Sequence, residues 1–110
     1  MLRAFVDTSV FFSACYSQTG ASFEIFRFAL NDAIQLITSD YVLEEAQRNL
    51  AAKSPEDLPH YYQFLELIDF ELAYPTRLAV LVAAEYTELK DAPVVAAAQQ
   101  ARVDYLVSLD

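Results

Sequence analysis

Hydrophobic and polar positions along the chain change period several times, and each change marks an element. Leu2 to Val6 is a short apolar run that predicts a buried strand, closed by Asp7-Thr8-Ser9. Val10 to Cys15 stays apolar and predicts a short helix or helical turn, and Gly20, the only glycine, marks a turn. Phe23, Phe26 and Leu30 then recur at helical spacing, with Glu24, Arg27 and Asn31 between them. Ile34 to Thr38 is rich in β-branched residues and predicts a second strand. Ser39 or Asp40 caps the next helix, which turns Val42, Leu43, Ala46 and Leu50 inward and Glu44, Gln47 and Arg48 outward. A polar loop bracketed by prolines runs from Lys53 to Pro59, followed by a helix through Tyr61, Phe64, Leu65 and Ile68. Phe70 to Leu72 predicts a short third strand, and Pro75 suits the first turn of a helix whose apolar face is Leu78, Leu81 and Val82. Ala84 to Lys90 either continues that helix or forms a second, short one. Asp91, just before Ala92-Pro93, reads as the N-cap of an alanine-rich helix over Val94 to Arg102. Tyr105 to Ser108 is the last strand, followed by Leu109 and Asp110.

Strands separated by helices imply right-handed crossovers and a parallel sheet covered on both faces, a three-layer α/β/α sandwich. The 110 residues suffice for one domain and not for two. Apolar types make up 55% of the chain, enough for one hydrophobic core. Cys15 is the only cysteine, so no internal disulfide forms, which fits a reducing compartment. The opening residues do not read as a signal peptide, because Asp7 interrupts the apolar stretch at once. The longest uncharged apolar window, Leu78 to Ala84, is far too short for a membrane span. A soluble cytoplasmic protein is therefore expected. The chain stops directly after a strand and an acid, which predicts a short C-terminal tail beyond Asp110.

Charge sharpens this picture. Sixteen acids against seven lysines and arginines leave a net charge of −9, the opposite of a general nucleic-acid clamp. The acids are either solvated surface or, in part, a shared metal site, and position decides between these. In parallel α/β sheets, ligands bind beyond the carboxyl ends of the strands. Asp7 follows the first strand, Glu44 and Glu45 lie on the helix after the second, Asp91 opens a helix at the same end, and Asp110 follows the last strand. Each has an ordinary alternative: Asp7 as a turn cap, Asp91 as an N-cap, Asp110 as a solvated terminal acid, one of the two glutamates as an exposed helix residue. Gathered together, they suit Mg²⁺ or Mn²⁺, hard ions that favour oxygen and retain waters. Thr8, Ser9 and Ser108 are candidate supporting hydroxyls. Cys15 has no metal-binding neighbour and reads as a small buried side chain. His60, beside Pro59, reads as solvent-facing. Phosphate-loop, zinc-spacing and nucleophile-elbow patterns are absent.

Four segments, in order, resemble the PIN-domain ribonucleases, particularly the small bacterial toxin-like members. They are Ala4-Phe5-Val6-Asp7-Thr8-Ser9-Val10-Phe11, Thr38-Ser39-Asp40-Tyr41-Val42-Leu43-Glu44-Glu45-Ala46, Lys90-Asp91-Ala92-Pro93-Val94-Val95-Ala96-Ala97-Ala98 and Asp104-Tyr105-Leu106-Val107-Ser108-Leu109-Asp110. The resemblance spans nearly the whole chain. It implies a PIN-like fold and a catalytic metal site of Asp7, Glu45, Asp91 and Asp110, with Glu45 preferred to Glu44 because Ala46 follows it. It also implies Mg²⁺ or Mn²⁺ as cofactor, RNA as substrate, and metal-dependent attack of water on the phosphodiester. Relatives often dimerise, toxin-like members are commonly inhibited by an antitoxin chain, and the family usually continues past the final acid. Leu109 departs from the small or polar residue usual there.

The leading expectation is thus a metal-dependent endoribonuclease, the toxin of a toxin–antitoxin pair. Three readings compete with it. One is cleavage of DNA. Another is a catalytically inactive PIN-like interaction module, suggested by the acidic charge and the many aromatics. The third is a phosphoacceptor domain of response-regulator type, which also places acids at parallel-strand ends but needs a lysine near the last strand that this chain lacks.

Overall fold

The computed structural model describes residues 1–109. Its strands are β1 (Leu2–Val6), β2 (Ile34–Ser39), β3 (Glu71–Ala73) and β4 (Tyr105–Val107), and its helices are α1 (Thr8–Tyr16), α2 (Ala21–Leu30), α3 (Asp40–Lys53), α4 (Leu58–Leu67), α5 (Arg77–Ala83) and α6 (Ala92–Gln100). Single 3₁₀ turns at Pro55–Asp57 and Leu89–Asp91 precede α4 and α6. The strands form one parallel sheet in the order β3-β2-β1-β4. Helices flank the sheet in the three-layer arrangement expected.

The two central strands show why both faces are covered. Ala4, Phe5 and Val6 are buried in succession, as are Leu36 to Ser39. Successive strand residues point to opposite faces, so consecutive burial requires packing on both. Register places Ala4 opposite Leu36 and Tyr105, and Phe5 opposite Ile37 and Leu106. β1 and β2 therefore end side by side, and the segments that leave them share one end of the sheet.

Aromatic rings fill the space beneath α1. Phe11 is fully buried and meets Phe26 edge-on at 5.2 Å, Phe70 at 5.3 Å and Tyr61 at 6.2 Å. Phe26 continues the cluster to Phe64 at 4.8 Å. Such edge-to-face pairs add to the energy of burial. α3 buries Val42, Ala46 and Leu50 completely, the face its spacing predicts. Cys15 lies in the same core, where loss of water contact, assisted by Asp57, pushes its thiol up to about 12 and keeps it protonated and unreactive. His60 is partly exposed, with Nδ1 3.1 Å from the Cys15 carbonyl and 3.4 Å from Asp57, so it braces α4 against the end of α1.

α5 differs from expectation. Leu78, Leu81 and Val82 are exposed at 69%, 58% and 49%, and Ala79, Val80 and Ala83 face the protein instead. They pack against Ala92 and Ala96 of α6. α5 is apolar all the way round, so periodicity alone does not select its inner face. The small residues of both helices do, since Ala79 and Ala83 of α5 meet Ala92 and Ala96 of α6 in one buried cluster.

Arg3 ties the opposite end of the sheet together. Its guanidinium reaches over β2 to donate two hydrogen bonds to Glu71 at 2.7 and 2.8 Å, and a third to the Ala101 carbonyl. Its hydrogen bonds hold the Glu71 carboxyl below the usual glutamate range. The contribution to stability is small because both groups are substantially exposed. It is present above the ordinary glutamate pKa and is lost as pH falls through the lowered value.

Candidate active site

Asp7 stands at the junction of β1 and α1, in an extended conformation that ends the strand. One of its oxygens, Oδ1, accepts from the Val10 amide at 3.3 Å and caps α1. The same oxygen accepts from the Ser9 hydroxyl at 2.6 Å. Ser9 in turn accepts from the Leu109 amide at 3.0 Å, and the Asp7 amide donates to the Val107 carbonyl at 3.4 Å. The exits of β1 and β4 are thereby held together. Asp110, the fourth expected ligand, lies outside the described residues. Ser108 is exposed and is not among the described residues that line the cleft below.

Glu45 approaches from α3. The Ser39 hydroxyl accepts from the Val42 amide and starts this helix directly at the end of β2. One and a half turns later Glu45 faces α1, where the buried Thr8 hydroxyl donates to its Oε1 at 2.5 Å. Glu44 is exposed and takes no part in the cleft lining. Asp91 ends the 3₁₀ turn before α6 and occupies the N-cap position, but with helical backbone angles and no capping hydrogen bond from its side chain. Its carboxylate is exposed and free for other work.

These three acids line one cleft of about 510 Å³ beyond the carboxyl ends of the strands. The wall also includes Thr8, Ser9, Phe12 and Ser13 of α1, Tyr41, Asn49 and Lys53 of α3, and Lys90, Val94 and Leu109. Tyr41, Asn49 and Lys53 were not singled out as site residues from the sequence, although Tyr41 and Asn49 stand four residues either side of Glu45 and Lys53 four beyond Asn49, a signal that finds them. Thr8 and Phe12, and Ser9 and Ser13, repeat that spacing on α1.

The donor set fits a hard cation. Asp7 Oδ2, Glu45 Oε2 and both Asp91 oxygens make no hydrogen bond among the described residues. Among the described residues, however, no three acids draw close enough to enclose an ion. An ion that keeps several waters, as Mg²⁺ does, needs only one or two carboxylates bound directly. Thr8 and Ser9 each hold one oxygen of a carboxylate that lines the cleft and leave the other without a hydrogen bond among the described residues.

A parallel α/β sheet with acids from three separate elements at its carboxyl end defines an α/β domain with a ligand cleft beyond its strand ends. A family model described as the PIN domain matches residues 3–110, and the chain belongs to that family. Among solved structures it is similar to Mycobacterium tuberculosis VapC20, described as a sarcin–ricin loop cleaving toxin, with a TM-score of 0.65 and 18% identity over 97% of this chain and 89% of that one. At this identity the likeness concerns the fold. No curated protein matches in sequence.

Proposed function

We propose that this chain is a divalent-metal-dependent endoribonuclease that hydrolyses RNA phosphodiester bonds, and the toxin of a toxin–antitoxin pair. One observation carries the reading: Asp7, Glu45 and Asp91 reach a single cleft from three elements of a PIN domain. RNA as substrate class draws support from the described activity of the structurally similar toxin.

In this reading Asp7, Glu45 and Asp91, with Asp110 by resemblance, hold Mg²⁺ or Mn²⁺. Such an ion, when bound, supplies a more acidic water and offsets the charge of the phosphodiester. The chain's own residues position the reaction. Thr8 fixes the rotamer of Glu45, and Ser9 fixes that of Asp7. The Leu109 amide, held by Ser9, keeps the exit of β4 against the start of α1. Among the described residues no helix is long and apolar enough to cross a membrane. A cytoplasmic setting, an antitoxin partner and a homodimer belong to the same proposal.

Thr8 offers a first check. Thr8→Val removes the donor to Glu45 but keeps the shape, and should lower turnover about 10- to 100-fold, the usual effect of losing a group that orients a ligand. Thr8→Ser should restore most of it. Rates measured side by side at fixed Mn²⁺ decide the matter, and equal rates for Thr8→Val and wild type would remove Thr8 from the mechanism.

The exposed Leu78, Leu81 and Val82 of α5 favour a second reading, an inactive interaction module. One assay separates the two. Purified protein is incubated with Mn²⁺ and a panel of single-stranded and structured RNAs, a sarcin–ricin loop oligonucleotide among them, beside DNA of matching sequence. Internal cuts in RNA that disappear with chelator support the ribonuclease. Cuts in DNA alone would favour the deoxyribonuclease, and intact substrates throughout would leave the interaction module.

A further inference from the structure

The cleft extends well past the three acids, along α3. Tyr41, Glu45, Asn49 and Lys53 all line it, and each stands four residues from the next. At about 1.5 Å per residue, Lys53 lies roughly 12 Å along the helix from Glu45. A spacing of four drifts by about 40° per step on a helix of 3.6 residues per turn, so the row winds slowly as it leaves the acids. Its chemistry is ordered: an exposed ring, a carboxylate, an amide, a cation.

Lys53 is the informative member. Of the seven lysines and arginines in a chain of net charge −9, three are paired with carboxylates, and of the others only Lys53 lines the cleft. Arg3 is held by Glu71 and Arg27 by Glu24, both at 2.7 Å, and Lys90 lies 3.8 Å from Glu88. Lys53 lines the cleft and has no carboxylate partner among the described residues. A lysine in the last turn of a helix also favours the helix dipole, which is the ordinary explanation for its position. That explanation does not account for the alignment with Asn49 and Glu45 on the cleft wall.

We infer that this face of α3 is a track for the RNA strand running past the cut, with Asn49 and Lys53 on one side of Glu45 and Tyr41 on the other. Lys53 binds a backbone phosphate, Asn49 hydrogen-bonds the strand between, and Tyr41, 38% exposed, stacks a base beyond Glu45. A stacked strand carries one phosphate about every 3.4 Å of axis, so the stretch from Glu45 to Lys53 spans roughly three nucleotides. The inference rests on the ribonuclease reading and adds to it where the substrate lies.

The test uses binding as well as turnover. A fluorescent single-stranded RNA is titrated with cleavage-deficient Asp7→Asn protein, with and without Lys53→Gln, over a range of salt. Loss of one phosphate contact should lower the slope of log affinity against log salt by about 0.7. In the otherwise wild-type enzyme Lys53→Gln should raise KM about tenfold with kcat unchanged, the mark of binding shared by ground and transition states. Lys53→Arg should restore both. Tyr41→Ala should weaken binding roughly fivefold or more without changing the salt slope. If Lys53→Gln binds RNA with unchanged affinity and slope while the wild type still cleaves, the track is wrong and the ribonuclease reading stands. If the wild type cleaves no RNA and Asp7→Asn binds none, both fall.

Discussion

Asp7→Asn should abolish at least 99% of RNA cleavage while leaving the fold intact. The carboxylate serves two purposes that this substitution separates. Its Oδ1 caps α1 through the Val10 amide and takes the Ser9 hydroxyl. Asparagine caps helices as well as aspartate does, and its carbonyl oxygen accepts both bonds. Helix α1 therefore keeps its start, and thermal unfolding should stay close to that of wild type. The other oxygen, which has no hydrogen bond among the described residues, becomes an amide nitrogen and cannot ligate a hard cation. A loss of at least about a hundredfold is expected, since even groups behind a ligand are worth up to that much. Initial rates at saturating Mn²⁺, with melting curves on the same samples, provide both readouts. Unchanged turnover would leave Asp7 as a cap and nothing more.

Phe11→Ala should be the most destabilising single substitution in the chain. The ring is fully buried and touches Phe26, Tyr61 and Phe70. Truncating a buried phenylalanine costs about 3–5 kcal/mol, through lost transfer energy and the cavity left behind. A domain of this size has only about 5–15 kcal/mol in total. Thermal melting followed by circular dichroism should show a fall of roughly 10–20 °C. Phe28, 51% exposed on α2, is the matched control, and Phe28→Ala should stay within about 0.5 kcal/mol of wild type. Activity should fall with Phe11→Ala as well, because the ring anchors the helix that begins with Thr8 and Ser9. A melting temperature near that of wild type would mean that α1 is seated by other contacts.

The sequence made the two central strands legible because they are short, largely apolar runs closed by polar residues, the second rich in β-branched types. Leu2–Val6 and Ile34–Ser39 stand where those runs are. Convergence of Asp7, Glu45 and Asp91 was legible for a topological reason: parallel strands all end at one side. Three things were not. The inner face of α5 depends on what α6 offers it, and seven consecutive residues with six apolar side chains conceal the answer. Asp91 reads as a capping residue by its place before Ala92-Pro93, yet the 3₁₀ turn at Leu89–Asp91 gives it helical angles that take its side chain away from the amides it would cap. The extension of the cleft along α3 needed the position of that helix beside α1 at the carboxyl end of the sheet. Asn49 and Lys53 resemble ordinary polar helix residues until that face is known to border the acids.

That Asp91 carries no capping bond makes it the cleanest probe of the central claim, because its replacement should cost the helix little. Calorimetric titration of Mn²⁺ into wild type and Asp91→Asn tests whether the acidic cleft holds metal. Saturable binding to the wild type, weakened at least tenfold in the variant with an unchanged melting temperature, is the predicted result. Identical isotherms for the two proteins, or no specific binding to the folded wild type, would contradict it.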